Sequence, residues 1–341
     1  MTEKMTRIAV TMGDPAGIGP EILVKALADE DIRSRHRLLL LGEKRAMSRA
    51  ADVCGFDPDV RMLQSEDDWF IDDPRPALLD LGSDMEREIQ LGVIDKNGGM
   101  LAARFIEKAA GLAMEGKVDA MVTCPIHKEA LAMAGVPFPG HTELLAHLTG
   151  AGKVVMMLAG ERLKVTLVTI HCPLSDVPGL LTSERILETI MITHQGLRQN
   201  WGLANPRLAV AGFNPHAGEG GLFGKEETDI IAPAVEAARR EGVNAVGPLP
   251  PDTVFFQAAG GRFDAVVCMY HDQGLIPLKL LHFHDGVNIT LGLPIVRVSV
   301  DHGTAFDIAG RGTADPTSLI TAIRTADMMA RNREHFTAEE E

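Results

Sequence analysis

Three histidines carry the clearest chemical potential in this sequence. His171 directly follows the apolar run Val165–Ile170, His216 follows Leu208–Phe213 after a short Asn-Pro step, and His271 directly follows Ala265–Tyr270. Each stands at or just beyond the C-terminal end of a predicted strand. In open parallel α/β sheets, ligands bind in the crevice outside those ends. Three imidazoles delivered to one crevice make a divalent-metal site with a position open to substrate. One such histidine alone would read as an ordinary loop residue, so it is the shared context that argues for a joint role. There is no H-x-x-x-H or H-E-x-x-H pattern, so the argument is positional rather than local. Asp272, beside His271, is either a partner for that ring, a general base or a cap for the following turn. Asp252, in Pro250-Pro251-Asp252-Thr253, is a second carboxylate that reads equally as a base or an N-cap.

A second group of residues suits anions. Gly140-His141-Thr142-Glu143 opens the apolar-periodic stretch Leu144–Leu148. Thr142 is the expected N-cap, and the free amides of a helix start attract negative charge. Lys279, Asn288 and Arg297 are spaced polar residues in a largely apolar region. Lys279 could simply extend its ammonium to solvent. Arg297 lies in Leu293–Val300, which reads as a buried strand, and a buried guanidinium needs an anionic partner, either substrate or a structural Asp.

These residues need elements to hold them. Short apolar runs at Ile8–Thr11, Arg37–Leu41, Ala120–Thr123, Lys164–Ile170, Arg207–Ala211 and Ala265–Met269 read as strands. Amphipathic segments Met100–Met114, Ser183–Trp201 and Thr228–Glu241 read as helices. This alternation predicts an α/β protein of two α/β/α domains with largely parallel sheets. The turn-rich stretch Gly135–Gly140 is the expected crossing between domains, with a return near Gly292–Pro294. The first domain would then cover 1–135 plus 293–341, and the second 136–292.

Composition excludes several classes. A net charge of −14 repels polyanions, and Phe, Trp and Tyr make only 4% of the chain, so nucleic-acid binding is not expected. Cys54, Cys124, Cys172 and Cys268 form no C-x-x-C pair, which fits reduced thiols in a cytoplasmic protein. Met1–Arg7 lacks the apolar core of a signal peptide, and no apolar run is long enough to span a membrane. The acidic cluster Glu339–Glu341 reads as a solvated tail.

Two loop-like segments bear on a dinucleotide. Gly13-Asp14-Pro15-Ala16-Gly17-Ile18-Gly19-Pro20-Glu21 follows the first strand, without the G-x-G-x-x-G of a Rossmann fold. The segment His302-Gly303-Thr304-Ala305-Phe306-Asp307-Ile308-Ala309-Gly310-Arg311-Gly312 has similar character. Together they resemble the isocitrate and isopropylmalate dehydrogenase superfamily, which binds its nicotinamide partly through the second segment. Gly140–Glu143, Asn214–Gly221, Met269–Gly274 and Val287–Pro294 narrow the resemblance to the 4-hydroxythreonine-4-phosphate dehydrogenase family, over residues 7–330. The resemblance implies metal ligands at His171, His216 and His271 and substrate contacts at His141, Thr142, Lys279, Asn288 and Arg297. It implies cofactor contacts at Gly303, Thr304 and Asp307, and a proton acceptor among Lys279, Asp252 and Asp272. It further implies a site in the cleft between domains, NAD or NADP, and one divalent metal (Zn, Mg, Co or Mn). The implied assembly is a homodimer in which His271 reaches a site whose other ligands belong to the partner. The implied reaction oxidises 4-phosphohydroxy-L-threonine to a β-keto acid that loses CO2 to give 3-amino-2-oxopropyl phosphate, in pyridoxal 5'-phosphate biosynthesis. Relatives of that family oxidise 4-phospho-D-threonate or 4-phospho-D-erythronate, and others act on aromatic cis-diols. A phosphate acyltransferase of related two-domain shape is the alternative of another class, and an inactive binding protein a third.

Overall fold

The apolar runs fold as strands because nearly every residue in them can be covered on both faces, as parallel sheets flanked by helices require. The computed structural model describes residues 5–70, 73–85 and 87–340. The chain divides into two compact units, Met1–Gly152 with Leu293–Arg331, and Lys153–Gly292 with Asn332–Glu341.

In the first unit the strands are β1 (Thr6–Thr11), β2 (His36–Gly42), β3 (Arg61–Leu63), β4 (Ala77–Asp80), β5 (Ala120–Thr123) and β12 (Arg297–Val300). They lie in the order β3-β4-β2-β1-β5-β12. Every neighbouring pair is parallel, with Val10 opposite both Leu40 and Val122. Helix Lys96–Met114 starts where the Asp95 carboxylate accepts from the Asn97 amide. The apolar periodicity of the sequence begins later, at Met100, because Gly98 and Gly99 interrupt the pattern ahead of it.

In the second unit the strands are β6 (Val155–Ala159), β7 (Lys164–Leu167), β8 (Leu208–Ala211), β9 (Ala245–Leu249), β10 (Ala265–Cys268) and β11 (Val287–Leu291). Their order is β11-β6-β7-β10-β8-β9. The run β7-β10-β8-β9 is parallel, whereas β6 is antiparallel to both β7 and β11. Leu158, Val165, Leu167, Ala209, Val266 and Leu278 form the centre of its core. Helix Ser183–Trp201 matches its expected span, capped by Thr182 at the start and by left-handed Gly202 at the end.

Several expectations shift. Lys164–Ile170 and Ala265–Met269 shorten to β7 and β10, since the chain leaves regular pairing to present loops beyond Leu167 and Cys268. The expected helix Thr228–Glu241 becomes a π turn, Glu227–Ile231, continuing into helix Ala232–Arg240. Residues 136–152 count with the first unit rather than the second, because helix His141–Thr149 packs on helix Lys96–Met114. At the other end, helix Thr317–Glu340 enters the second unit after Arg331, where Asn332 donates to the Asn200 carbonyl and Arg333 to the Asn200 side chain. Of the acidic tail, Glu341 lies outside the described residues.

Candidate active site

The parallel strands of the second unit deliver all three histidines from their C-terminal ends. His171 follows β7, and its ring centroid lies 5.7 Å from that of His271. His271 is the first residue of helix His271–Leu281, after β10. A cavity of about 490 Å³ opens beside both rings, lined also by Cys172, Val177, Tyr270 and Asp272. His216 sits beyond β8 on an unusual turn. His216, Ala217, Gly218, Glu219 and Gly220 all have positive φ, between 45° and 79°. Non-glycine residues avoid this region, so something must hold them there. The buried Glu227 carboxylate does so at the base of the turn, accepting from the Phe213 amide (2.7 Å), the Asn214 amide (2.6 Å) and the Asn214 side chain (3.0 Å). A Cβ at Gly218 would fall 2.6 Å from that carboxylate, so only glycine fits.

Carboxylates orient two of the rings. His271 Nδ1 lies 2.7 Å from Asp272 Oδ1, and His216 Nδ1 lies 3.0 Å from Glu219 Oε2. An ionised carboxylate only accepts, so Nδ1 is the protonated nitrogen in each neutral ring and Nε2 keeps its lone pair. Metal-binding imidazoles are tuned by this same outer-shell contact. Among the described residues of one chain, no three of His, Cys, Asp and Glu converge closely enough to hold a metal ion.

The remaining expected residues of this unit are scattered on the same elements. Lys279 lies in helix His271–Leu281 with its ammonium 5.7 Å from the centre of the Phe283 ring. Asn288 lies on β11 opposite Leu158. Asp252 is in the first turn of helix Pro251–Ala259, whose N-cap is Pro250, so Asp252 is not the cap. Asp272 likewise caps nothing: it is exposed and engaged with His271.

In the first unit, Arg297 opens β12 and is 3% exposed. Its Nη2 donates to Thr123 Oγ1 at the end of β5, 2.9 Å away. Burial pulls its guanidinium down to about 9, still charged at neutral pH. The same burial, reinforced by the Arg297 charge, holds the His141 imidazole well below the ordinary histidine range, so it is neutral. His141 Nε2 is enclosed without a hydrogen-bond partner. Thr142 is not the N-cap. Gly140 takes that position in extended conformation with no side chain to offer, which leaves the first-turn amides of helix His141–Thr149 for a ligand.

The two glycine-containing segments meet in this unit. The Ile18 amide donates to the Thr304 carbonyl (3.0 Å), and buried Glu21 accepts from the amides of Gly310 and Gly312. A Cβ on Gly17 would lie 2.8 Å from the Thr304 carbonyl, which explains glycine there. Gly303, Thr304 and Asp307 thus sit on a loop clamped to the start of helix Gly19–Ala26. Phe306 of that loop stacks on His127 at 4.9 Å.

Sequence reasoning did not single out Asp14, Glu227 or Gln273. Asp14 is 1% exposed; its Oδ1 accepts from Ala16, its Oδ2 has no partner, and burial raises it to about 6. Each stands inside or near a motif already noted, but only the fold shows that it is buried.

Comparison with known proteins converges on one group. A 4-hydroxythreonine-4-phosphate dehydrogenase from Geobacter metallireducens is 54% identical over 97% of both chains. A D-threonate 4-phosphate dehydrogenase from Cupriavidus necator is 46% identical, over 98% of this chain and all of that one. The crystal structure of 4-hydroxythreonine-4-phosphate dehydrogenase from Klebsiella pneumoniae superposes with a TM-score of 0.87 at 45% identity, covering 97% of this chain and 99% of that one. Residues 34–326 match the family described as "Pyridoxal phosphate biosynthetic protein PdxA", and the chain belongs to that family.

Proposed function

We propose that this chain is a metal-dependent, NAD(P)-linked dehydrogenase that oxidises 4-phosphohydroxy-L-threonine to a β-keto acid, which decarboxylates to 3-amino-2-oxopropyl phosphate in pyridoxal 5'-phosphate biosynthesis. The observation that carries it is the pair of carboxylate-oriented imidazoles, His216 and His271, presented with His171 at parallel strand ends. Three imidazole donors suit a divalent ion such as zinc, cobalt, manganese or nickel. When bound, such an ion would supply Lewis acidity at the substrate hydroxyl, and a nicotinamide would supply the hydride acceptor.

The chain's own residues do the rest. Arg297, Lys279 and the open amides at His141–Thr142 bind the phosphate and carboxylate, and Asn288 orients the substrate. Neutral His141 offers a hydrogen bond without adding charge beside Arg297. Gly303, Thr304 and Asp307 contact the cofactor. The hydroxyl proton passes to Lys279, Asp252 or Asp272, of which Asp272 already holds the His271 ring.

A homodimer completes the site. Phe256 and Leu280 are each 84% exposed, with Ile276 and Phe283 also bare, on or beside two helices of the second unit. An apolar group of this kind is what a partner copy covers. In the dimer, His271 serves a site whose other two histidines come from the partner.

A second reading, oxidation of 4-phospho-D-threonate, is favoured by the Cupriavidus necator relative. The test is turnover of 4-phosphohydroxy-L-threonine, 4-phospho-D-threonate and 4-phospho-D-erythronate with NAD+ and NADP+, followed by absorbance of the reduced nicotinamide. Fastest reduction with the first substrate supports the proposal, and preference for the second supports the alternative. No reduced nicotinamide with any of them overturns both and leaves acyl transfer. His216→Ala should lose bound metal and oxidation together; full activity of a metal-free sample contradicts the metal role.

A further inference from the structure

We infer that Gln273 is a positioning residue which, with Thr169, locks the three histidine-bearing strand ends of each chain into one rigid piece. The inference rests on the metal role proposed above. Regular pairing around the central strand β10 ends at Cys268. The next residue, Met269, is held on both backbone groups by side chains. Its amide donates to Gln273 Oε1 at 2.7 Å, and its carbonyl accepts from Thr169 Oγ1 at 2.8 Å and from the Thr169 amide at 3.2 Å. Gln273 Nε2 continues the chain of bonds to the Gly212 carbonyl at 2.6 Å.

The connectivity is specific. Thr169 precedes His171, Met269 precedes His271 and Gly212 precedes His216, each at the root of the loop that bears the histidine. The bonds therefore run from the His171 loop to the His271 loop and on to the His216 loop. Thr169 is 1% exposed and Gln273 7%, so water does not substitute for a lost bond. Only an amide side chain serves at 273, because one end must accept from Met269 and the other must donate to Gly212. A carboxylate would face the Gly212 carbonyl without a proton to share. Removing either partner leaves buried backbone groups unsatisfied and lets the loops move independently. Because ligand geometry tolerates only small displacements, the first property to suffer is metal affinity.

The test is Co(II) titration of the purified full-length protein, reading both affinity and the visible ligand-field band, with circular dichroism to establish folding. Gln273→Met and Thr169→Val should each weaken Co(II) by roughly tenfold or more and change the band. Thr169→Ser, which keeps the hydroxyl, should restore both. Thr193→Val is the control. It removes a buried hydroxyl bonded to Thr166 in the same unit, outside the three loops, and should leave affinity and band as in the wild type. Wild-type affinity and band in both Gln273→Met and Thr169→Val, or an equal loss in Thr193→Val, overturns the inference. A wild-type protein that takes up no Co(II) overturns the metal role itself.

Discussion

Replacing Arg297 by methionine should stabilise the ligand-free protein while disabling it. The guanidinium is 3% exposed, and its displacement from 12.5 to about 9 corresponds to ~5 kcal/mol of unfavourable burial at 1.36 kcal/mol per pH unit. Its neighbours therefore return less than burial removes. Methionine fills similar space without charge, and exchanges of buried ions for apolar residues gain up to about 4 kcal/mol. At about 2 °C or more per kcal/mol for a domain of this size, the apparent melting temperature should rise by roughly 2–8 °C. Pairing Arg297→Met with Thr123→Val spares the Thr123 hydroxyl from losing its donor. Substrate binding should fall by about 2–5 kcal/mol, or roughly thirtyfold to several thousandfold in kcat/KM. The assay is a thermal melt without ligand, repeated with inorganic phosphate, alongside steady-state kinetics. Phosphate should protect the wild type and not the variant. A variant that melts several degrees lower without ligand would refute the reasoning and make Arg297 a structural residue.

Three further outcomes are expected. Asp14 is raised from 3.8 to about 6 by burial, so between about pH 4 and pH 6 the folded chain holds a proton that the unfolded chain releases, and stability falls as pH rises through that window. Asp14→Asn keeps the acceptor for Ala16 and should be more stable than wild type at pH 7.5, by at most ~3 kcal/mol, with the gain vanishing near pH 4; a gain independent of pH in urea melts contradicts this. Phe256→Glu with Leu280→Glu should yield a monomer by light scattering with little oxidation activity, and an intact dimer would move the interface elsewhere. Gly218→Ala should lose ~1–2 kcal/mol from its left-handed backbone alone, plus the clash with Glu227, and take up less metal; unchanged stability and metal content would show that the turn is not constrained.

The alternation of apolar runs with amphipathic stretches made the α/β class legible, and strand ends made the histidines legible. The signal faded where residues on one strand serve different masters. β9 contains Gly247 and Pro248, so it shows no clean strand pattern. β6 runs Val-Met-Met-Leu-Ala, which reads as readily as buried helix. The Thr142 cap failed because threonine commonly caps helices, yet the helix already starts at His141 and leaves Thr142 inside its first turn, with Gly140 at the cap. The turn at His216 could not be anticipated, since histidine, alanine and glutamate at positive φ oppose local preference and depend on Glu227 from another segment. Gln273 shows the same limit: its partners, Met269 and Gly212, converge only once the strands pair.

The first unit is assembled from both sides of the second, and this orders its birth on the ribosome. β5 pairs with β12, Met121 lying opposite Arg297, so a nascent chain must wait for the whole of Lys153–Gly292 before that strand arrives. The intervening unit needs no such delay for its strands and can condense first, as domains do during synthesis. Until β12 emerges, β5 exposes an unpaired parallel edge, the kind of surface that recruits other chains. The interval between the appearance of residue 123 and residue 300 is therefore when the nascent chain is most open to misassociation, and slowing translation there should raise its dependence on chaperones.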